Sequence, residues 1–588
     1  MSERPVGNDP VGTDALDGVA ETLDRAATAM IAQMTSGLSP ATIGLAFADW
    51  AMHLAASPGK QLQLAGKAVR KSMRIADYAV RAAGDAAAQP AIDPLPQDHR
   101  FDSPAWREPP YNVISQAFLL NQQWWHAATT GVQGVTRHHE QVVEFVARQM
   151  LDMVAPSNNP FTNPVLQQRI AETHGQCLID GATHWVEDVQ RLMRGEPPVG
   201  SEAFVPGREV AVTPGKVVYR NELIELIQYS PTTEQVRPEP ILIVPAWIMK
   251  YYILDLSPHN SMVRWLVSQG YTVFCISWHN PGRDDRNLDM EAYRRLGPMA
   301  ALDAISAITG AAHVHGVGYC LGGTLLSIAA ATMARDGDTR LGSVTLFAAQ
   351  TEFSEPGELG LFIDEGQLSL LDAMMWSRGF LDSSQMGGAF QLLRSNDLVW
   401  SHLLGTYLMG EREPASDLMA WNADGTRMPY AMHSQYLRRL FLDDDLAEGR
   451  YTVGGRAISL SALRQPMFVV GTERDHVAPW RSVYKIHWLS EAEICFVLTS
   501  GGHNAGIVSE PGHPHRSYRI ATRPLGGPAL GADEWAETAT QQQGSWWTAW
   551  GAWLDAHSGT PVAPPPMGAP DHGYPVRGDA PGHYVMEA

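Results

Sequence analysis

Cysteine is scarce in this sequence and scattered along it. Four thiols in 588 residues, Cys177, Cys275, Cys320 and Cys495, are too few for a disulfide framework, and no two form a CxxC pair. A reducing, cytoplasmic setting is expected. Positive charge is also in short supply. The 43 Lys and Arg stand against 63 Asp and Glu, a formal net charge of −20. That argues against a general nucleic-acid binder, which needs a basic footprint to displace counterions from phosphate. Membrane-spanning apolar runs are lacking too. Residues 316–334 carry no Asp, Glu, Lys or Arg, but Gly316, Gly318, Gly322 and Gly323 fall in the first half of that stretch. Such a cluster marks a sharp turn between buried elements, so no transmembrane segment is expected. The opening MSERPVGNDPVGTD has no basic segment leading into an apolar one, so no secretory leader is expected. His513 and His515 in PGHPHR have no companion ligands at metal-binding spacing and read as surface histidines; no metal and no cofactor are expected.

What is present is a globular composition, 45% hydrophobic and 18% charged. Residues 1–98 read as Ala-rich helices closed by a Pro/Ala linker, and 99–208 as further helices around PSNNPFTNP (156–164). The pattern changes near 209. Paired strands are expected in EVAVTPGKVVYRNELIELIQY, then ILIVPAW (241–247), a helix over 260–270, YTVFCISW (271–278), a helix over 292–310 and SVTLFAA (343–349). Alternating strands and helices predict a parallel sheet. The alternation lapses over about 351–460 and resumes at QPMFVVGT (465–472) and ICFVLTS (494–500), so a helical cap inserted into one α/β domain spanning 209–558 is the economical reading. Residues 559–588 are rich in Pro and Gly and should run as an irregular or extended tail.

The chemistry concentrates at GYCLGG (318–323), a G-x-S-x-G pattern with cysteine in the serine position. In α/β-hydrolases this pentapeptide is a tight strand-to-helix turn that presents a nucleophile, with glycines, here Gly318 and Gly322, admitting the bend. By itself the match fits equally well a buried cysteine at a close strand–helix contact. The fold's order of nucleophile, acid and histidine adds weight, because Asp475 follows one strand-like run and His503 the next, 28 residues later. Cys320 would attack a carbonyl as thiolate, His503 would carry the proton and Asp475 would orient the imidazole. His476 is the rival base, but it adjoins the acid. The oxyanion donors are expected to be the backbone N–H groups of Leu321 and Ile248. Cys177, Cys275 and Cys495 read as packing residues, Asp364–Glu365 as a structural turn, and Trp546, Trp550 and Trp553 as the core face of a helix.

At these residues the sequence resembles the class I polyhydroxyalkanoate synthases. The resemblance covers about 98–558 and is carried by RFDSPAW (100–106), PYN (110–112), KYYILDLSPHNSMVRWLVSQGYTVFCISWHNP (250–281), GYCLGG, FIDEG (362–366), NDLVW (396–400), WN (421–422), ERDHVAPW (473–480), GHNAGIV (502–508) and GSWW (544–547). It implies an α/β-hydrolase fold and an acyltransferase that polymerises (R)-3-hydroxyacyl-CoA, of short chain such as 3-hydroxybutyryl-CoA, to polyester with release of CoA. It also implies that Cys320 is the covalent nucleophile, Asp475 the acid, and His503 the base that activates the 3-hydroxyl of the incoming unit. A homodimer on polyester granules is expected by the same resemblance, with the N-terminal helices linked to granule and partner contacts. Met249 stands where the family carries Asn, SEPG (509–512) where it carries Asn-Pro-Pro, and SRGFLDSSQMGG (377–388) is divergent. The same triad would equally serve a thioesterase or an intracellular polyester depolymerase. From another class, a granule-coating protein with an inert hydrolase core would share the fold.

Overall fold

The computed structural model describes residues 13–35, 37–85, 87–386 and 399–587, so residues 387–388 and 396–398 of the motifs quoted above lie outside the described residues. Among the described residues the main sheet has 11 strands. These are β1 (Gly215–Arg220), β2 (Ile224–Tyr229), β3 (Ile241–Val244), β4 (Val273–Trp278), β5 (Val314–Tyr319), β6 (Leu341–Phe347), β7 (Met467–Thr472), β8 (Ile494–Thr499), β9 (Ser517–Arg523), β10 (Thr540–Gln543) and β11 (Gly578–Asp579). They lie in the order β10-β9-β8-β7-β6-β5-β3-β4-β2-β1-β11. The central six, β4, β3, β5, β6, β7 and β8, are mutually parallel, and the remaining neighbours pair antiparallel. Parallel strands are covered by helices on both faces, and for that reason ILIV, VFCISW, MFVVGT and ICFVLT are buried at every position.

The described residues fall into two compact units, one within 39–199 and 387–414, the other comprising the remaining chain. The first is helical: Pro40–Ala55, Pro58–Gly84, Tyr111–Thr129, Arg137–Met153, Pro164–Glu172 and Gln176–Arg194. Its starts follow local chemistry. Ser39, Thr136 and Asn163 cap helices by accepting from backbone N–H groups, and proline opens three of them, where no intrahelical N–H bond is lost. In RFDSPAW, Arg100 is largely buried between Asp98 and Asp152, each 2.7 Å away, and Phe101 packs edge-on against Trp106. The second unit holds the sheet, the helix Thr13–Met34 and the described parts of the inserted segment on either side of 387–414. No helix of the described residues is long and apolar enough to cross a membrane.

One expectation is corrected, and two features go beyond the sequence reading. The single helix expected over 292–310 is interrupted. Met290–Arg294 and Ala300–Thr309 flank a π turn in which Gly297 leaves helical geometry and Pro298 has no N–H to donate. Strands β9 and β10, unforeseen because their sequences are mostly polar, extend the sheet beyond β8. The Pro/Gly-rich tail is irregular but anchored. Val562 pairs with Val236, β11 pairs with β1, and the buried Glu225 carboxylate accepts the N–H groups of His583 and Tyr584.

Candidate active site

Cys320 stands between β5 and the helix Leu321–Asp336, at φ 51° and ψ −124°. A non-glycine residue at positive φ carries backbone strain of order 1–3 kcal/mol and is held there by its surroundings. The surroundings are glycines. A Cβ on Gly318 would sit 2.3 Å from Gly323 Cα, and one on Gly322 would sit 2.0 Å from the Val244 carbonyl oxygen. The second approach has a chemical consequence, because it sets the first turn of the elbow helix directly against the end of β3 and Pro245. The loop that follows, with Trp247, Ile248 and Met249, therefore starts beside Leu321. As the first residue of its helix, Leu321 has no carbonyl within the helix for its N–H. The two predicted oxyanion donors thus come from adjoining segments. Ile248 and Met249 are further fixed by the returning cap strand, whose Thr426 N–H donates to the Ile248 carbonyl at 3.2 Å and whose Gly425 bridges Met249.

His503 follows β8 and Asp475 follows β7, as the sequence order requires. His503 Nδ1 lies 2.8 Å from Asp475 Oδ2. The carboxylate is fully buried, and every remaining lone pair in reach is used. Thr472 donates its hydroxyl to Oδ2 at 3.0 Å, and the Val477 and Ala478 N–H groups donate to Oδ1 at 2.9 and 2.8 Å. Burial works against the carboxylate's charge, but His503 and these donors outweigh it and hold the Asp475 carboxyl below the usual range. Burial likewise works against a charged imidazole, yet the Asp475 charge and the neighbouring Cys320 raise His503 well above its ordinary value. An imidazole placed between a carboxylate and a thiol in this way can accept the thiol proton and stay charged. His503, not His476, receives Asp475 Oδ2.

Sequence reasoning missed the groups that hold these three. The Tyr319 hydroxyl donates to Asn504 Oδ1 at 2.6 Å, and its ring lies 5.6 Å from His503, tying the strand before the nucleophile to the histidine loop. GSWW has the same purpose from the far side: the Trp546 and Trp547 indoles donate to the Gly506 and Ile507 carbonyls, each at 2.9 Å. Trp546 and Trp550 are fully buried against Phe347, while Trp553 packs on Phe468. From the cap, the buried Tyr436 phenol is raised well above its ordinary value by burial and by the proximity of Cys320. Cys275 and Cys495 lie buried inside β4 and β8, and Cys177 inside a helix. Asp364 caps the helix Glu365–Arg378, and Glu365 pairs with Arg438 at 3.0 Å. His513 bonds Glu510, and among the described residues no group of three or more His, Cys, Asp or Glu side chains could hold a metal ion.

This geometry has close relatives. Residues 97–266 match the family model for the N-terminus of poly-beta-hydroxybutyrate polymerase (PhaC), residues 18–60 a second N-terminal model of that polymerase, and residues 239–510 the alpha/beta hydrolase fold. The poly(3-hydroxyalkanoate) polymerase of Methylorubrum extorquens is 41% identical over 507 residues, covering 85% of this chain and 82% of its own. The chain belongs to the poly(3-hydroxyalkanoate) polymerase family. Other members include the PhaC subunit of Rhizobium etli, 37% identical over 84% of this chain and 78% of its own, and that of Cupriavidus necator, 34% identical over 84% of each. The fold is that of the α/β-hydrolases, and family and fold together make the protein an acyltransferase enzyme.

Proposed function

We propose that the protein polymerises (R)-3-hydroxyacyl-CoA, of short chain such as 3-hydroxybutyryl-CoA, into polyester through a Cys320 acyl-enzyme. The observation that carries the reading is a cysteine on a strained elbow, neighbouring an imidazole whose Nδ1 lies 2.8 Å from a buried carboxylate. His503 takes the Cys320 proton, and the thiolate adds to the thioester carbonyl. The resulting oxyanion is held by the Leu321 and Ile248 N–H groups. Collapse breaks the bond to CoA sulfur, and the His503 proton passes to the departing thiolate. The acyl group now resides on a thioester of nearly the same energy as the one consumed, so loading is close to thermoneutral and the following transfer to a hydroxyl runs downhill. His503, again neutral, takes the proton of the 3-hydroxyl of an incoming 3-hydroxyacyl-CoA; its oxygen attacks the acyl carbon, the bond to Cys320 sulfur breaks, and the thiolate departs beside the charged imidazole, leaving the chain one ester longer on CoA for the next acylation. No cofactor enters these steps. The proposal includes a cytoplasmic setting, association with polyester granules and a homodimer, and the resemblance to the synthase family supports that reading.

Incubation with 3-hydroxybutyryl-CoA should release CoA thiol in step with insoluble polyester, and Cys320→Ala should abolish both. Free 3-hydroxybutyrate as the only acyl product would refute polymerisation in favour of a thioesterase or depolymerase. Undiminished CoA release in the alanine variant would remove Cys320 from the reaction. Granule-bound protein that turns over no thioester would mark an inert coat.

A further inference from the structure

The residues after Gly582 reach the loop that follows β3, the loop in which Ile248 is read as an oxyanion donor. Lys250, two residues beyond Ile248, is only 3% exposed, and its ammonium donates to the backbone carbonyls of Tyr584, at 3.4 Å, and of Glu587. Its own carbonyl accepts from the Trp421 indole at 2.7 Å. The loop is therefore gripped from two sides: by 421–426 of the returning cap and by 584–587 of the tail. The tail end is itself fixed. Glu587 Oε2 accepts the Asn280 N–H at 2.8 Å and lies 2.7 Å from His279 Nδ1, in the loop after β4. Asn280 Oδ1 in turn accepts the Arg427 N–H at 2.9 Å. Upstream, Glu225 holds the N–H groups of His583 and Tyr584, the Tyr584 hydroxyl donates to the Asn221 carbonyl, and Val585 is buried in the core with Tyr251 and Tyr252. A buried ammonium needs several acceptors. Here both acceptors that Lys250 Nζ finds are main-chain oxygens supplied more than 330 residues later.

We infer that Lys250 and the segment Tyr584–Glu587 are positioning residues for the oxyanion loop: the tail fixes the place of the Ile248 N–H and so sets the rate of acylation without touching substrate. The inference rests on the reading of Ile248 as an oxyanion donor, and the geometric demand is strict because such donors act at about 2.7–3.1 Å from the developing charge, a window of a few tenths of an ångström.

The experiment compares two reactions at the same sulfur in the full-length protein. Acylation by 3-hydroxybutyryl-CoA, read as CoA release, builds an oxyanion; alkylation of Cys320 by iodoacetamide displaces iodide and builds none. Lys250→Met keeps the stem and removes the grip. Its kcat should fall about 10–100-fold with KM within about threefold, while the alkylation rate stays within about twofold. If Lys250→Met does not fold, Glu587→Ala, whose side chain is a third exposed, reads the same pair of rates, with acylation expected to fall about 3–10-fold. Acylation and alkylation falling together, or neither falling, would overturn the inference. The polymerase reading fails by a different signal, free hydroxy acid in place of polyester from the unaltered protein.

Discussion

Replacing Asp475 by Asn tests the site most directly, because the two side chains have the same shape and differ in one charge and one pair of donors. Oδ1 is claimed by the Val477 and Ala478 N–H groups, so the amide oxygen of Asn must take that position and its NH2 must face His503 Nδ1 and Thr472. Nδ1 then becomes an acceptor, and the imidazole proton moves to Nε2, the nitrogen needed to receive the thiol proton. The imidazolium also loses its counter-charge. At about 4 Å and an effective dielectric near 20, that interaction is of order 4 kcal/mol, or about 10³-fold in rate. CoA release in Asp475→Asn should accordingly fall about 10³-fold. The pH profile of iodoacetamide alkylation should change with it, because the unaltered protein keeps the imidazolium above the ordinary histidine range and the variant does not. Stability follows the same linkage. The lowered Asp475 contributes above the ordinary carboxylate value and loses its contribution as pH falls through its folded value; the raised His503 contributes below about pH 6.5 and loses it as pH rises through its own. The melting deficit of the variant should therefore be greatest between about pH 4 and 6.5. Activity within about fivefold of the parent, with an unshifted alkylation profile, would refute the assignment of Asp475 and His503.

Cys320→Ser should lose at least about 10²-fold in CoA release, since an alcohol beside this imidazole ionises far less readily than a thiol; near-parental turnover would contradict the thiolate mechanism. Gly322→Ala would put a methyl group 2.0 Å from the Val244 oxygen, and overpacking against main chain should lower stability by at least about 1–3 kcal/mol and abolish CoA release. An unchanged melting temperature would show that the elbow is not seated against β3. Asp444 sits at φ 50°, accepts the Phe353 N–H at 3.0 Å, and is pushed up to about 7 by burial and by Glu352 and Glu448. Asn tolerates that backbone and keeps the bond. Asp444→Asn should thus stabilise by about 1–2 kcal/mol at pH 8, allowing for partial exposure, and by almost nothing at about pH 2.5, where the parent carboxyl is protonated in both states. Equal gains at both pH values would disprove the titration.

The central strands were legible because a parallel strand buried on both faces reads as a nearly continuous apolar run, and ILIV, VFCISW and MFVVGT have no other comfortable place. The elbow was legible for a related reason. Gly318 and Gly322 face main-chain atoms at distances that exclude any side chain, so the backbone geometry itself is written in residue type. Asp475 and His503 could be found by their positions after β7 and β8. What stayed hidden was interaction across large separations. Ser517–Arg523 and Thr540–Gln543 have little apolar content and are strands only because β8 offers an edge. Nothing local in YVME announces that its carbonyls will meet Lys250, and nothing in GSWW says that two indoles will hold the chain after His503. The kink at Gly297–Pro298 was visible in principle, since proline inside a helical pattern is a standing warning, but apolar periodicity on both sides concealed it.

The loops that carry Asp475, His503 and Ile248 are supported unequally, and the inequality has a direction. Asp475 is held by its own neighbours, Thr472, Val477 and Ala478, so the acid loop needs little from elsewhere. The histidine loop depends on Trp546 and Trp547, and the oxyanion loop on Trp421 to Thr426 and on 584–587. Two of the three loops therefore lean on chain that follows His503 in sequence. The parallel strands β3 to β8, whose pairing is complete by Thr499, do not. Progressive shortening from the C-terminal side should then remove function in an order: first acylation, as Lys250 loses its acceptors, and next alkylation by iodoacetamide, as the His503 loop loses Trp546 and Trp547. The sheet should melt last. Measured by CoA release, alkylation rate and circular dichroism on chains ending at Gly582 and at Gly544, the three losses should separate. Simultaneous loss of all three at the first step would mean that the tail stabilises the whole fold and has no selective hold on the oxyanion loop.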